Sequence, residues 1–165
     1  YRRPTTTDAD LVARRAAAGL TAAPQLYLVS RALDLPADMP LREGDGSPPI
    51  VLHPAGSDAA DVDTRGLGLC GVGTDSDGGV DLDAAIASIG ADGHTLVLCE
   101  GGPSLLGALH RRGLLDELFV SFSPVLAGGS ALGLLGDAPE DPVPVHLRSL
   151  LESDGMLLAD YLIDR

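Results

Sequence analysis

The chain predicts an α/β protein with a mostly parallel central sheet, helices on its flanks and an antiparallel hairpin at its carboxyl end. Three observations predict it. Residues 95–113 run from an uninterrupted apolar stretch, through Glu100-Gly101-Gly102-Pro103, into an apolar pattern of helical period that stops at Gly113. That is the form of a strand, a glycine turn and a helix. Ahead of it, short apolar stretches alternate with helical patterns, which is how β-α-β units read. Near the other end, Ser153-Asp154-Gly155 separates two apolar stretches, and Asp-Gly accepts the positive φ angles of a tight hairpin.

The elements follow in order. Residues 8–18 predict a helix, with Thr7 as N-cap and Gly19 as its stop. Residues 25–30 and 49–53 read as short buried strands, and the Pro-, Gly- and Asp-rich stretch 34–48 between them as a surface loop. Residues 67–72 form a weak, glycine-interrupted strand and 74–79 a polar turn. In 81–89, Leu82, Ala85, Ile86 and Ile89 fall on one helical face. Residues 96–99 are apolar without interruption, as in a strand covered on both faces. Residues 117–125 alternate, with Phe119, Ser121 and Ser123 on one side and Val120 and Phe122 on the other. The hairpin arms are 143–151 and 156–163. With no internal repeat, the chain reads as a single domain over 1–165.

Composition narrows the function. A chain of 165 residues with 45% apolar content and a mean hydropathy of +0.19 folds around a core. Aromatic residues make up only 3%, so Leu, Val, Ile and Ala must fill that core. No apolar run is long enough to span a bilayer, and no basic-then-apolar leader opens the sequence, which predicts a soluble, cytoplasmic protein with no membrane partner. The net charge is −13, which disfavours nucleic acid as a partner. An anionic ligand must then be held by a few local donors against an unfavourable overall field. All eleven basic residues are Arg, so Schiff-base chemistry on lysine is excluded. Arginine suits bidentate phosphate recognition, which singles out Arg31 and Arg42. Cys70 and Cys99 stand alone in apolar runs. They read as reduced thiols and suggest neither a disulfide nor a metal site.

The glycine turn carries the chemistry. Pro103 lies at the helix start, where its missing N–H costs nothing. The unpaired N–H groups of such a start suit an anion, and Gly101 and Gly102 allow close approach. Glu100 sits where open α/β sheets place their ligands. A carboxylate at the end of a buried strand must accept hydrogen bonds there, either from a ligand or from nearby backbone.

The ordered series Glu100-Gly101-Gly102-Pro103-x-Leu105, the helix to Gly113, Asp116-Glu117-Leu118, and Ser123-Pro124-Val125-Leu126-x-Gly128-Gly129 resembles the reductase domain of riboflavin biosynthesis, a family with the dihydrofolate-reductase fold. The resemblance implies NADPH as cofactor and a phosphorylated pyrimidine, 5-amino-6-(5-phosphoribosylamino)uracil or a relative, as substrate. Hydride would reach C1′ of the ring-opened ribosylimine. It also implies a homodimer. Gly101, Gly102, Pro103, Ser104 and Leu105 would then meet the cofactor phosphates, and Glu100 would orient substrate or assist proton delivery. Ser30 and Arg31 would bind the adenosine 2′-phosphate, the alternative being a solvated strand-end arginine. His53 would lie near the adenine, the alternative being an exposed loop histidine. Gly128 and Gly129 fit either a bulge or a close approach to cofactor, and Asp116-Glu117 reads as a structural turn. No zinc-deaminase pattern is present. Relative to the family, Tyr1-Arg2-Arg3-Pro4 looks like the loop after a cofactor turn, so the chain is expected to begin inside the family's domain, with an open sheet edge where a central strand belongs. A related pterin-type reductase and a non-catalytic nucleotide-binding module are the alternatives.

Overall fold

The computed structural model describes residues 3–44, 46–130, 133–136 and 142–164. They form two compact units, residues 1–93 and 94–165, each of which holds one three-stranded sheet.

In the first unit, helix α1 (Ala9–Ala17) precedes strands β1 (Tyr27–Val29), β2 (Ile50–Pro54) and β3 (Gly68–Val72), and helix α2 (Leu82–Ala91) follows them. The strands are parallel in the order β1-β2-β3, with Val51 paired to Leu28 and to Leu69. The central strand β2 is the most deeply buried, with Val51 at 0% and Leu52 at 1% exposure. Leu33, Val51 and Leu67 form a core cluster, joined by half-buried Leu28, Leu35, Ala59, Val62 and Leu69. Helix α2 buries Leu82, Ala85 and Ile89, the face that the sequence period gives. The N-cap of α1 is Asp8, one residue after the expected Thr7: its carboxylate accepts from the Asp10 and Leu11 N–H groups. Asp and Thr both cap well, and the stronger acceptor holds the position. Gly19 ends the helix at φ +72°.

Two arginines hold the loops of this unit. Arg42, in a 3-10 turn over Pro40–Arg42, is 8% exposed. Its guanidinium donates to the carbonyls of Leu35, Pro36, Asp63 and Arg65. Arg3 donates to those of Leu41, Arg42, Gly44, Gly46 and Gly66. A buried cation is tolerated when its fixed fork of donors is satisfied in this way. Arg42 is therefore a structural staple, which corrects its reading as a phosphate ligand.

In the second unit, helix α3 (Pro103–Arg111) is followed by β4 (Glu117–Phe122), β5 (Val145–Ser153) and β6 (Met156–Ile163), antiparallel in the order β4-β6-β5. The β5–β6 hairpin closes through Asp154 and Gly155 at φ +51° and +77°, the paired positive angles of a two-residue turn. A register shift between Leu147 and Ser149 marks a bulge at Arg148, which turns its side chain onto the face shared by Asp160 and Glu117. Arg148 bonds Asp160 through Nε at 2.7 Å and Glu117 through both amino groups at 2.7 and 2.9 Å. One guanidinium thus ties all three strands together, and the Asp160 bond, ahead of the Glu117 pair, holds it charged. Glu117, read as part of a polar turn, instead opens β4 and receives Arg148.

One expected element is missing. Residues 96–99 are irregular, and among the described residues no strand pairs with them. Leu96 is 88% and Leu98 71% exposed. An apolar run becomes a covered strand only when a neighbour supplies its hydrogen bonds, and none of the six strands does.

Candidate functional site

Expected site residues lie in both units. In the second unit they are consecutive, from Glu100 to Leu105 at the start of α3. Among the described residues, helix α3 is capped differently from α1 and α2. Asp8 caps α1 and Asp81 caps α2, each with a further acid in the first turn, Asp10 and Asp83. Gly102 caps α3 with no side-chain hydrogen bond, and no acid lies in its first turn. The start of α3 therefore keeps the partial positive charge that the other two helices neutralise internally.

The donors are fewer than the sequence suggests. Pro103 has no N–H, and those of Leu105 and Leu106 both donate to the Gly102 carbonyl at 3.1 Å. The N–H groups left facing this turn are those of Gly101, Gly102 and Ser104, so Leu105 contributes packing in place of a donor. That packing explains Gly101, where a Cβ would stand 2.6 Å from Leu105 Cδ2 and 3.1 Å from its Cβ. Around Gly102 the space for a Cβ is open, as close approach of a ligand requires. A loop the sequence reading missed packs on the same turn: the Cβ position of Gly136 lies 3.5 Å from Pro103 main-chain and ring atoms, and Gly136 has φ +59°. Its only signal in the sequence is a glycine among many.

Glu100 is exposed and lies outside any strand. The expectation of a carboxylate at the end of a buried strand is thus corrected; water solvates it here. Gly128 and Gly129 lie in exposed irregular chain, and only Gly129, at φ +117°, requires glycine on conformational grounds.

In the first unit Ser30, Arg31 and His53 gather at the carboxyl ends of β1 and β2. Ser30 N–H extends the ladder to the Leu52 carbonyl at 3.0 Å. Its Oγ accepts from Leu33 N–H at 3.1 Å, fixing a turn in which Leu33 adopts φ +55° and drops into the core. The hydroxyl proton remains to donate. Arg31 is exposed and donates to the Asp77 carbonyl, in the turn after β3. That turn is organised by Asp75, whose carboxylate accepts from the N–H groups of Asp77 and Gly79 at 3.0 and 2.6 Å. His53 is neither a loop residue nor exposed. It lies in β2 at 8% exposure, Nδ1 is 3.1 Å from the Pro54 carbonyl oxygen, and its Cε1 lies 3.4 Å from the Cβ position of Gly71. Little of the imidazole face is available for stacking.

An α/β architecture with parallel strands first and an antiparallel hairpin last is that of the dihydrofolate-reductase class. Residues 2–153 match the model of the RibD C-terminal domain, and the chain belongs to that family. It is 38% identical over 71 residues to the riboflavin biosynthesis protein RibD of Escherichia coli K12, a match covering 38% of this chain and 19% of that protein. A pyrimidine reductase-like protein from Corynebacterium diphtheriae superposes with a TM-score of 0.80 at 20% identity, covering 99% of this chain and 70% of that one. The riboflavin biosynthesis reductase Rib7 of Saccharomyces cerevisiae gives 0.70 at 14% identity, covering 87% and 71%. These likenesses establish the dihydrofolate-reductase-like fold. The chain spans about a fifth of the E. coli relative it matches.

Proposed function

We propose that this chain is the reductase portion of a riboflavin-biosynthesis enzyme that reduces 5-amino-6-(5-phosphoribosylamino)uracil or a close relative with NADPH, as part of a single reductase domain that works as a homodimer. The observation that carries the reading is the open start of α3, side-chain-uncapped and acid-free in its first turn, within a family match that spans residues 2–153. A nicotinamide cofactor supplies the hydride that C1′ of the ring-opened ribosylimine receives.

The residues present fit the phosphates of such a cofactor. The N–H groups of Gly101, Gly102 and Ser104 hold a phosphate at the helix start, and the bare Gly102 lets it approach the main chain. Arg31 and the Ser30 hydroxyl hold the 2′-phosphate, which makes the preference NADPH over NADH. Arg31 also donates to the Asp77 carbonyl. Glu100, next to the turn, orients the substrate or relays the proton that accompanies reduction.

Titration of NADPH and of NADH, followed by nicotinamide fluorescence, tests the reading. NADPH is expected to bind at least ~10-fold tighter than NADH, and Arg31→Ala to remove most of that preference, since a charge-assisted phosphate contact is worth roughly 1.5–3 kcal/mol. Equal affinity for the two nucleotides overturns the Arg31 assignment, and no binding of either overturns the reductase reading.

A further inference from the structure

An exposed arginine has many rotamers, and an anion site built on one is stronger when the protein has already ordered it. Arg31 lies beside an acidic stretch, with aspartates at 75, 77, 81 and 83. Among the described residues none of the four forms an ion pair with it. It donates instead to a neutral acceptor, the Asp77 carbonyl. A carbonyl fixes a guanidinium without cancelling its charge, as a carboxylate would. Two of the carboxylates bond within the stretch. Asp81 caps α2. Asp75 accepts from the N–H groups of Asp77 and Gly79 through Oδ1 at 3.0 and 2.6 Å, and its Oδ2 lies 2.7 Å from the Cβ position of Gly79. The main chain closes the same turn: Asp75 N–H donates to the Gly79 carbonyl at 3.0 Å, and Gly78 N–H to the Asp75 carbonyl at 3.1 Å. Thr74 Oγ1 ties the turn to the Ala55 carbonyl at 3.2 Å, just beyond β2. Arg31 Nη2 lies 3.5 Å from the Cβ position of Gly78.

We propose that Asp75 is a positioning residue for Arg31: its carboxylate holds the 75–79 turn, and the Asp77 carbonyl on that turn presents an uncompensated guanidinium to an anion beside Ser30. This rests on the reading of Ser30 and Arg31 as the 2′-phosphate site, and it makes Asp75 a determinant of NADPH preference that never touches the nucleotide. A through-space effect and a positioning effect have opposite signs here. Removing a negative charge near an anion strengthens binding through space. Removing the support of Arg31 weakens it.

Variants of the full-length protein test it by titration with NADPH and NADH. Asp75→Ala is expected to reduce the preference for NADPH at least ~5-fold, as a charge-assisted contact loses its order. Asp75→Asn keeps an oxygen for the same two N–H groups and is expected to hold the preference within ~2-fold. Gly79→Ala places a methyl group against the same carboxylate and is expected to repeat the Asp75→Ala loss, should that variant fold poorly. A second readout needs no nucleotide. The heteronuclear NOE of the Arg31 Nε–H group is expected to fall in Asp75→Ala to the level of exposed Arg14, and to stay in Asp75→Asn. A preference that rises in Asp75→Ala overturns the proposal by leaving Asp75 a through-space role. An unchanged preference or an unchanged NOE overturns it too, as does an equal loss in Asp75→Asn. Equal affinity for both nucleotides in the parent protein, with the NOE still falling in Asp75→Ala, overturns the 2′-phosphate reading and leaves the positioning of Arg31 standing.

Discussion

Gly102 brings no side chain to the start of α3, and nothing lies within 4 Å of where its Cβ would be. Gly102→Asp would give α3 the same cap that α1 and α2 carry. Thermal melting is expected to hold or rise slightly, because Asp exceeds Gly as a cap by a few tenths of a kcal/mol. Isothermal titration is expected to show NADPH affinity falling at least ~10-fold, because the carboxylate occupies the donors proposed for phosphate. Gly66 is the opposite case. At φ +69°, with the Arg42 carbonyl oxygen 2.0 Å from its Cβ position, Gly66→Ala is expected to cost about 2 kcal/mol or more in urea unfolding. Tyr27 sets an alkaline limit. Burial first, and then its 2.7 Å hydrogen bond to Asp92, pushes its hydroxyl up to about 12. The native state then keeps a proton that the unfolded chain sheds near 10. Its contribution is whole below pH 10 and lost as pH rises toward 12, so unfolding midpoints should fall across that window and fall less in Tyr27→Phe. Residue identity alone misled the sequence reading at Arg42 and His53. A guanidinium satisfied by four converging carbonyls and one bound for phosphate have the same letter, and nothing local distinguishes them.

At the scale of elements, the Arg148 bulge gives a graded prediction. Arg148→Ala leaves Asp160, 8% exposed and with Oδ1 already lacking a partner, without its counter-charge. The expected loss is about 2–3 kcal/mol by chemical denaturation, since an unpaired buried carboxylate is costly. Glu117→Gln removes only the half-exposed pair and is expected to cost less than ~1 kcal/mol. An equal loss in both variants would contradict the division of labour described. Elements with a local signal were legible: Asp154-Gly155 set the hairpin, and the periodic leucine and isoleucine of α2 set its buried face. The open helix start at Gly102-Pro103 was legible for the same reason, because a proline, two glycines and a missing acid are local facts. Residues 95–99 were not. A continuous apolar run states that both faces want cover, and says nothing about whether a strand is there to give it.

At the scale of the molecule, charge and architecture act on different properties. A net charge of −13 with arginine as the only basic side chain other than histidine repels a polyanionic nucleotide at long range, while the α3 start is the site proposed to attract it at contact. The association rate constant is therefore expected to rise several-fold with ionic strength between ~0.02 and ~0.2 M, measured by stopped-flow fluorescence, as screening shortens the repulsion. A fall would mean that local attraction dominates the approach. The loops of the first unit carry one more lesson. Apart from the Arg42–Asp63 ion pair at 3.8 Å, the hydrogen bonds of Arg3 and Arg42 along 35–46 and 63–66 go to main-chain carbonyls, and every peptide unit offers the same carbonyl whatever side chain it bears. Those loops are thus specified as a shape and not as a text. Substitutions at most of their positions are therefore expected to leave the loop form intact, whereas those at Arg3, Arg42 or Gly66 are expected to disturb it.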